Sequence, residues 1–230
     1  MKVMSILIAA LMTLCLSAAP VLQSEELQTH MAALKESLER SRQQIKQYEW
    51  TETTIVLLNG EEKSHKQYLN HYGPDGAIQK TAVEASPEKQ QRGLRGRIVE
   101  KKKEEMTDYM QRAVDLVKLY VPPNPDKIQA VKNAGNASLT MIEPGRRVRL
   151  NFKNYQKTGD LLAIDIDPSS KRLLGATVAS YIDDPKDAVD LSIQFGSLAD
   201  GTTYPASVKL NAPAKKITVQ MTNSDYHRIS

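Results

Sequence analysis

From residue 138 to the C terminus, apolar and polar residues alternate in run after run. Strict period-two alternation admits little besides antiparallel strands with one dry face and one wet face. Val148, Leu150 and Phe152 alternate with Arg147, Arg149, Asn151 and Lys153, and Leu162, Ile164 and Ile166 with Ala163, Asp165 and Asp167. Val189, Leu191, Ile193 and Phe195 alternate with Asp190, Ser192 and Gln194, and the stretches 172–182, 204–210 and 217–221 continue the pattern. About seven strands fit here, and their dry face has to be covered by something else in the chain.

Three further strands and three helices precede them. Leu27, Met31, Leu34, Leu38, Ile45 and Tyr48 recur at alternating steps of four and three, with Ser41 in the one gap. That spacing predicts a helix of about 24 residues, roughly 36 Å long, with a narrow apolar seam. At Tyr48 the period drops to two, and the β-branched and aromatic run 48–58 reads as a strand ending at the hairpin dipeptide Asn59-Gly60. A second strand over about 63–72, the turn Gly73-Pro74-Asp75-Gly76 and a third strand over about 77–83 complete a meander.

Residues 84–105 read as a basic loop loosened by Gly93 and Gly96, carrying Lys89, Arg92, Arg95, Arg97, Lys101, Lys102 and Lys103 against four glutamates. Met106, Tyr109, Met110, Ala113, Val114, Val117 and Tyr120 mark one face of a second helix, stopped by Val121-Pro122-Pro123. Asn124-Pro125 starts a short third helix and Gly135 ends it.

The N terminus sets the expected location. Lys2, an apolar run over 3–16 and the small residues Ser17, Ala18 and Ala19 before Pro20 describe a cleaved secretory signal peptide. The run is too short to span a bilayer comfortably. Leu14 before Cys15 does not fit a lipid-attachment site. Cleavage near Ala18 removes Cys15, the only cysteine, and leaves a chain suited to an oxidising periplasm or cell envelope. The formal net charge is +4, of which Lys2 carries one, leaving a mild +3 that argues against nucleic acid as a partner.

These observations predict one α+β domain over 20–230 after a leader over 1–19: an N-terminal helix in 20–47, a strand meander over 48–83, a basic loop and helices over 84–135, and antiparallel strands over 136–230. The architecture is a curved antiparallel sheet, a half-barrel of about ten strands, with the long helix and the central helices covering its concave face. Element order, the turn Tyr72-Gly73-Pro74-Asp75-Gly76 and the ladder over 204–229 resemble the periplasmic lipoprotein-carrier (LolA/LolB-like) superfamily. The stretches Gln47-Tyr48-Glu49-Trp50-Thr51-Glu52-Thr53, Arg92-Gly93-Leu94-Arg95-Gly96-Arg97 and Tyr181-Ile182-Asp183-Asp184-Pro185-Lys186-Asp187-Ala188-Val189 are similar to a group of uncharacterised exported bacterial proteins. The resemblance implies a carrier-like fold, and no functional residue transfers with it.

Motifs for enzymatic chemistry are missing: no His-Glu-x-x-His, no Gly-x-Ser-x-Gly, no phosphate loop and no dinucleotide fingerprint. The histidines at 30, 65, 71 and 227 are scattered. Ser224, Asp225 and His227 share one strand, where alternate side chains point to opposite faces, so they do not form a triad. Asp183, Asp184, Asp187 and Asp190 lack the spacing and the closing glutamate of a calcium loop. The chain therefore reads as a binding protein, not an enzyme, with no metal and no cofactor.

Two surfaces carry the expectation of binding. The apolar set Val148, Leu150, Phe152, Leu162, Ile164, Ile166, Leu191, Ile193 and Phe195 is either plain core or, beneath a movable helical lid, a groove for a lipid or a lipoprotein's acyl chain. Burying about fourteen carbons is worth on the order of 11 kcal/mol at roughly 0.8 per methylene, before the costs of association. The bases at 89–103 are expected to dock on an anionic membrane surface or an acidic protein. The competing expectation is an envelope scaffold pairing through the 27–48 seam; a monomer is favoured.

Overall fold

The computed structural model describes residues 29, 32, 35–84 and 94–229, with 84 and 94–103 as backbone only. The leader, half of the seam (Leu27, Met31 and Leu34), and Lys89 and Arg92 lie outside the described residues.

Ten strands form one open antiparallel sheet: β1 (Tyr48–Leu58), β2 (Glu61–Tyr72), β3 (Ile78–Glu84), β4 (Ala137–Glu143), β5 (Arg147–Lys153), β6 (Leu161–Asp167), β7 (Arg172–Tyr181), β8 (Ala188–Ser197), β9 (Thr203–Ala212) and β10 (Ile217–Arg228). The order β3-β2-β1-β10-β9-β8-β7-β6-β5-β4 joins two meanders through a single long-range pairing of β1 with β10. The fold class is therefore the α+β arrangement expected. Asn59 and Gly60, both at positive φ, make the tight turn between β1 and β2. Six of the nine strand pairings carry a register shift, and such bulges bend a sheet and increase its twist.

Helix α1 is described over 35–44 and runs into a 3-10 turn at Ile45–Gln47. Helix α2 spans Leu94–Lys118 and α3 spans Pro125–Asn133. Asn124 caps α3 by accepting hydrogen bonds from the backbone N–H groups of Asp126 and Lys127, with Pro125 at the first position.

Helix α2 corrects the reading of 84–105 as a loop, because its backbone is already helical from Leu94. Glu100, Lys101, Lys102, Lys103, Glu104 and Glu105 are good helix formers with opposite charges three and four apart, and one interior glycine, Gly96, costs only about 1 kcal/mol. Arg95, Arg97, Lys101, Lys102 and Lys103 therefore stand on helical backbone, not on a loop.

All three helices lie on one face of the sheet, here the inner face. Ala113 and Leu116 of α2, Tyr120 just beyond it, and Ile128 and Val131 of α3 share one buried cluster with the apolar residues of β5–β9, and Leu38 of α1 packs against it. A hydrogen bond from the Thr203 N–H to the buried Ser41 hydroxyl ties α1 to the start of β9.

The outer face of β5–β9 is largely polar and holds one buried carboxylate. Asp165 is 4% exposed and is held by Arg149 Nε at 2.6 Å and Arg147 Nη2 at 2.5 Å. Burial alone would push its carboxyl up; the hydrogen bonds and charges of Arg149 and Arg147 outweigh that and hold it below the usual carboxylate range. A folded-state pKa below the unfolded value means stability that is present above about pH 4 and is lost as pH falls through the folded pKa. Urea midpoints measured from pH 6 down to pH 2.5 are expected to fall less steeply for Asp165→Asn than for the wild type.

Candidate functional site

The structure brings together all nine apolar residues singled out from the alternation. In register, Val148 faces Ile166, Leu150 faces Ile164 and Phe152 faces Leu162; Val178 links Leu162 to Leu191, and Ala176 links Ile164 to Ile193. Eight of the nine are buried and Phe195 is half-buried. Below α3 and the C-terminal half of α2 they are sealed and form continuous core.

The inner face changes character beyond β9. In β1, alternation places Trp50, Glu52, Thr54, Val56 and Leu58 on one face, and the register sets Leu58 against Ile217, Val56 against Val219, Thr54 against Met221 and Glu52 against Asn223. Val56, Leu58 and Val219 are only half-buried, packed with Met106 and Met110 of α2 around buried Tyr109, Ala212 and Ile217. This is a second, shallower apolar patch under the outer part of α2, with methionine as its adaptable cover.

Helix α2 is held above this patch by contacts to the β7–β8 loop. The Tyr109 hydroxyl donates to Asp187 Oδ1 at 2.7 Å, and Arg112 Nη2 meets Asp183 Oδ2 at 2.5 Å. Burial and the neighbouring Asp187 carboxylate push the Tyr109 phenol well above its ordinary range, so the hydroxyl keeps the proton it donates. Two of the aspartates considered for calcium are thus engaged by α2. Among the described residues, no group of three or more His, Cys, Asp and Glu is arranged to hold a metal ion. Ser224 donates to its neighbour Asp225, both exposed, and Glu49 stands in register between His71 and His227 on the outer face.

Past Glu52 the inner face becomes polar and aromatic. Lys80 Nζ lies 2.7 and 2.8 Å from the two Glu52 carboxylate oxygens, and Asn70 Nδ2 donates to Glu52 Oε2 at 3.1 Å. Glu52 and Asn70 are buried, at 7% and 0% exposure, while the Lys80 side chain is 43% exposed. The ring of Trp50 stacks on Tyr226 at 5.7 Å between centroids and meets Tyr72 at the same distance, and Tyr226 packs on Tyr204 at 4.3 Å. Trp50 Nε1 donates to Asn223 Oδ1. Gly196 lies under the Tyr204 ring, where a Cβ would come within 2.8 Å of it. Reading the sequence missed this cluster, because its members come from separate strands. The available signal was a glutamate at an apolar-face position of β1.

On the outer face, Leu161, Thr177, Ala179, Asp190, Ser192 and Lys209 line a shallow depression of about 300 Å³ across β6–β9. Burial among these neighbours pushes the Asp190 carboxyl up. The lining comes from four adjacent strands of one sheet with no second layer over it among the described residues, so it is a dip in the sheet surface and not a cleft.

No family model matches the chain, and no curated protein matches it by sequence. Among solved structures it is similar to a DUF1329 family protein from Desulfovibrio piger, with 9% identity, coverage of 86% of this chain and 92% of that chain, and a TM-score of 0.36. That is a likeness too distant to define a family or a function.

Proposed function

We propose that this protein binds the acyl portion of a lipid, or of a lipidated segment, non-covalently on the inner face of its sheet, as a carrier-like half-barrel would. The observation that carries the reading is the half-buried patch of Val56, Leu58 and Val219 beneath Met106 and Met110, continuous with the sealed core. Apolar side chains left partly wet at the edge of a core gain from any apolar guest that completes their burial, at about 25 cal/mol per Å². Deeper entry, toward Phe195, Ile193 and Leu191, requires α2 to lift, and its polar ties at Tyr109 and Arg112 are short-reach contacts that a moving helix can break and remake. The leader then delivers the protein to the envelope, and the basic start of α2 docks it on an anionic surface, where each base contributes about 1 kcal/mol.

Uptake of cis-parinaric acid, whose fluorescence rises in an apolar site, tests the reading. The wild type is expected to bind it saturably, and Val56→Asp to bind it more than about tenfold more weakly, because a carboxylate on the patch must be desolvated by the guest. Equal binding by a folded Val56→Asp variant would contradict it.

A further inference from the structure

Resting on that acyl-binding reading, we infer that the Glu52–Asn70–Lys80 cluster receives the head of the bound amphiphile and selects a primary ammonium. Along β1 the inner-face side chains run from apolar Leu58 and Val56 through Thr54 to Glu52 and then Trp50. Alternate residues on a strand are about 6.6 Å apart, so Glu52 stands about 13 Å from Val56, on the same face. A tail on the patch places its polar end over the cluster.

The chemistry of the cluster names the head. Its buried acceptors are both Glu52 carboxylate oxygens and Asn70 Oδ1; the two fixed donors beside them, Asn70 Nδ2 and the Thr54 hydroxyl, are already given to Glu52. Asn70 Oδ1 is fully buried and has no hydrogen-bond partner, which is costly for an amide oxygen. Lys80 Nζ reaches the two carboxylate oxygens, 5.7 Å from the centre of the Tyr68 ring, and leaves the third acceptor unserved. An ammonium has three N–H donors, which matches three acceptors.

Lys80 itself is the exchangeable member. It stands on the edge strand β3 with a half-exposed, flexible side chain, whereas Glu52 and Asn70 sit on the interior strands β1 and β2. A ligand ammonium that takes its place exchanges one cation for another, so the buried carboxylate stays compensated. The released Lys80 then meets the phosphate that neighbours the ammonium in a phosphoethanolamine head. A trimethylammonium head has no N–H donor to offer these acceptors, and an anionic glycerol head has no cation.

The test uses detergent-free incubation of the protein with mixed vesicles of dioleoyl phosphatidylethanolamine, phosphatidylcholine and phosphatidylglycerol, then native mass spectrometry of the recovered protein. The wild type is expected to enrich phosphatidylethanolamine about tenfold over each of the others, the scale of one charge-assisted hydrogen bond. The neutral double variant Glu52→Gln, Lys80→Met is expected to take up as much lipid in total but at the vesicle ratio. Lys80→Ala, which strips Glu52 of its cation, is expected to melt earlier than the wild type and to be restored by phosphatidylethanolamine vesicles but not by phosphatidylglycerol vesicles. Wild-type uptake at the vesicle ratio, or unchanged enrichment by the double variant, overturns the head assignment and leaves acyl binding standing. No lipid on the wild type overturns both.

Discussion

Replacing Phe152 by alanine is expected to destabilise the protein by about 3–5 kcal/mol, the range for a large aromatic side chain deleted from a packed core. Phe152 is 0% exposed, stands in register between Ala137 and Leu162, and belongs to the cluster on which α2 and α3 rest. Urea unfolding reads the loss directly, and a change below about 1.5 kcal/mol would mean that this half of the inner face is loosely packed. The same variant locates binding. If the acyl chain sits on the shallower inner-face patch near Val56, folded Phe152→Ala binds parinaric acid as the wild type does; if it threads into the sealed half, affinity changes with the cavity.

Asp160→Ala is expected to cost about 3–5 kcal/mol, for a different reason. The 2%-exposed carboxylate accepts from the Tyr120 hydroxyl at 2.5 Å and from the backbone N–H groups of Tyr155, Gln156 and Lys157 at 2.6–2.9 Å. Removing it orphans several buried or half-buried donors at roughly 1–3 kcal/mol each, partly relieved by water. It also frees the loop 154–160 that anchors the end of α2, since Tyr120 bridges Asp160 to Ser180 on β7. Tyr120→Phe removes one hydroxyl, which donates to Asp160 and accepts from Ser180, and leaves the three backbone donors on Asp160 in place, so its cost is expected to be smaller, about 2 kcal/mol. Equal losses for the two variants, read from urea midpoints, would mean that the Tyr120–Asp160 bond carries the whole effect and that the three backbone contacts to Asp160 add nothing.

Strands were the most legible part of the chain because half-buried antiparallel strands write their two faces as alternation. Val148 to Phe152 and Leu162 to Ile166 declare both their secondary structure and their inner face before any contact is known. The β1–β10 pairing was not legible: its partners are some 170 residues apart, and nothing local to Glu52 names Asn223 as its neighbour. Helix α2 was read short because Gly93 and Gly96 look like loop residues, while the helix-forming charges that follow carry no apolar face to mark.

The candidate site divides the same way. Its apolar floor follows from periodicity, but whether a stretch of that floor is sealed or half-wet depends on where α2 and α3 come to rest. Glu52, Asn70 and Lys80 are single polar residues on three strands, and only the register turns them into a cluster. In the Trp50 to Leu58 run, a glutamate between a tryptophan and aliphatic residues at alternate positions is the mark that a polar group is held on an otherwise apolar face.

Photo-crosslinking with a diazirine-bearing fatty acid, followed by peptide mapping, tests the binding of an acyl chain on the inner face most directly. Label is expected on peptides spanning 54–58, 106–110 and 217–221, and absent from the outer-face residues Arg147, Arg149, Ser192 and Lys209. Label spread over the outer face, or no label above that of a denatured control, would contradict it.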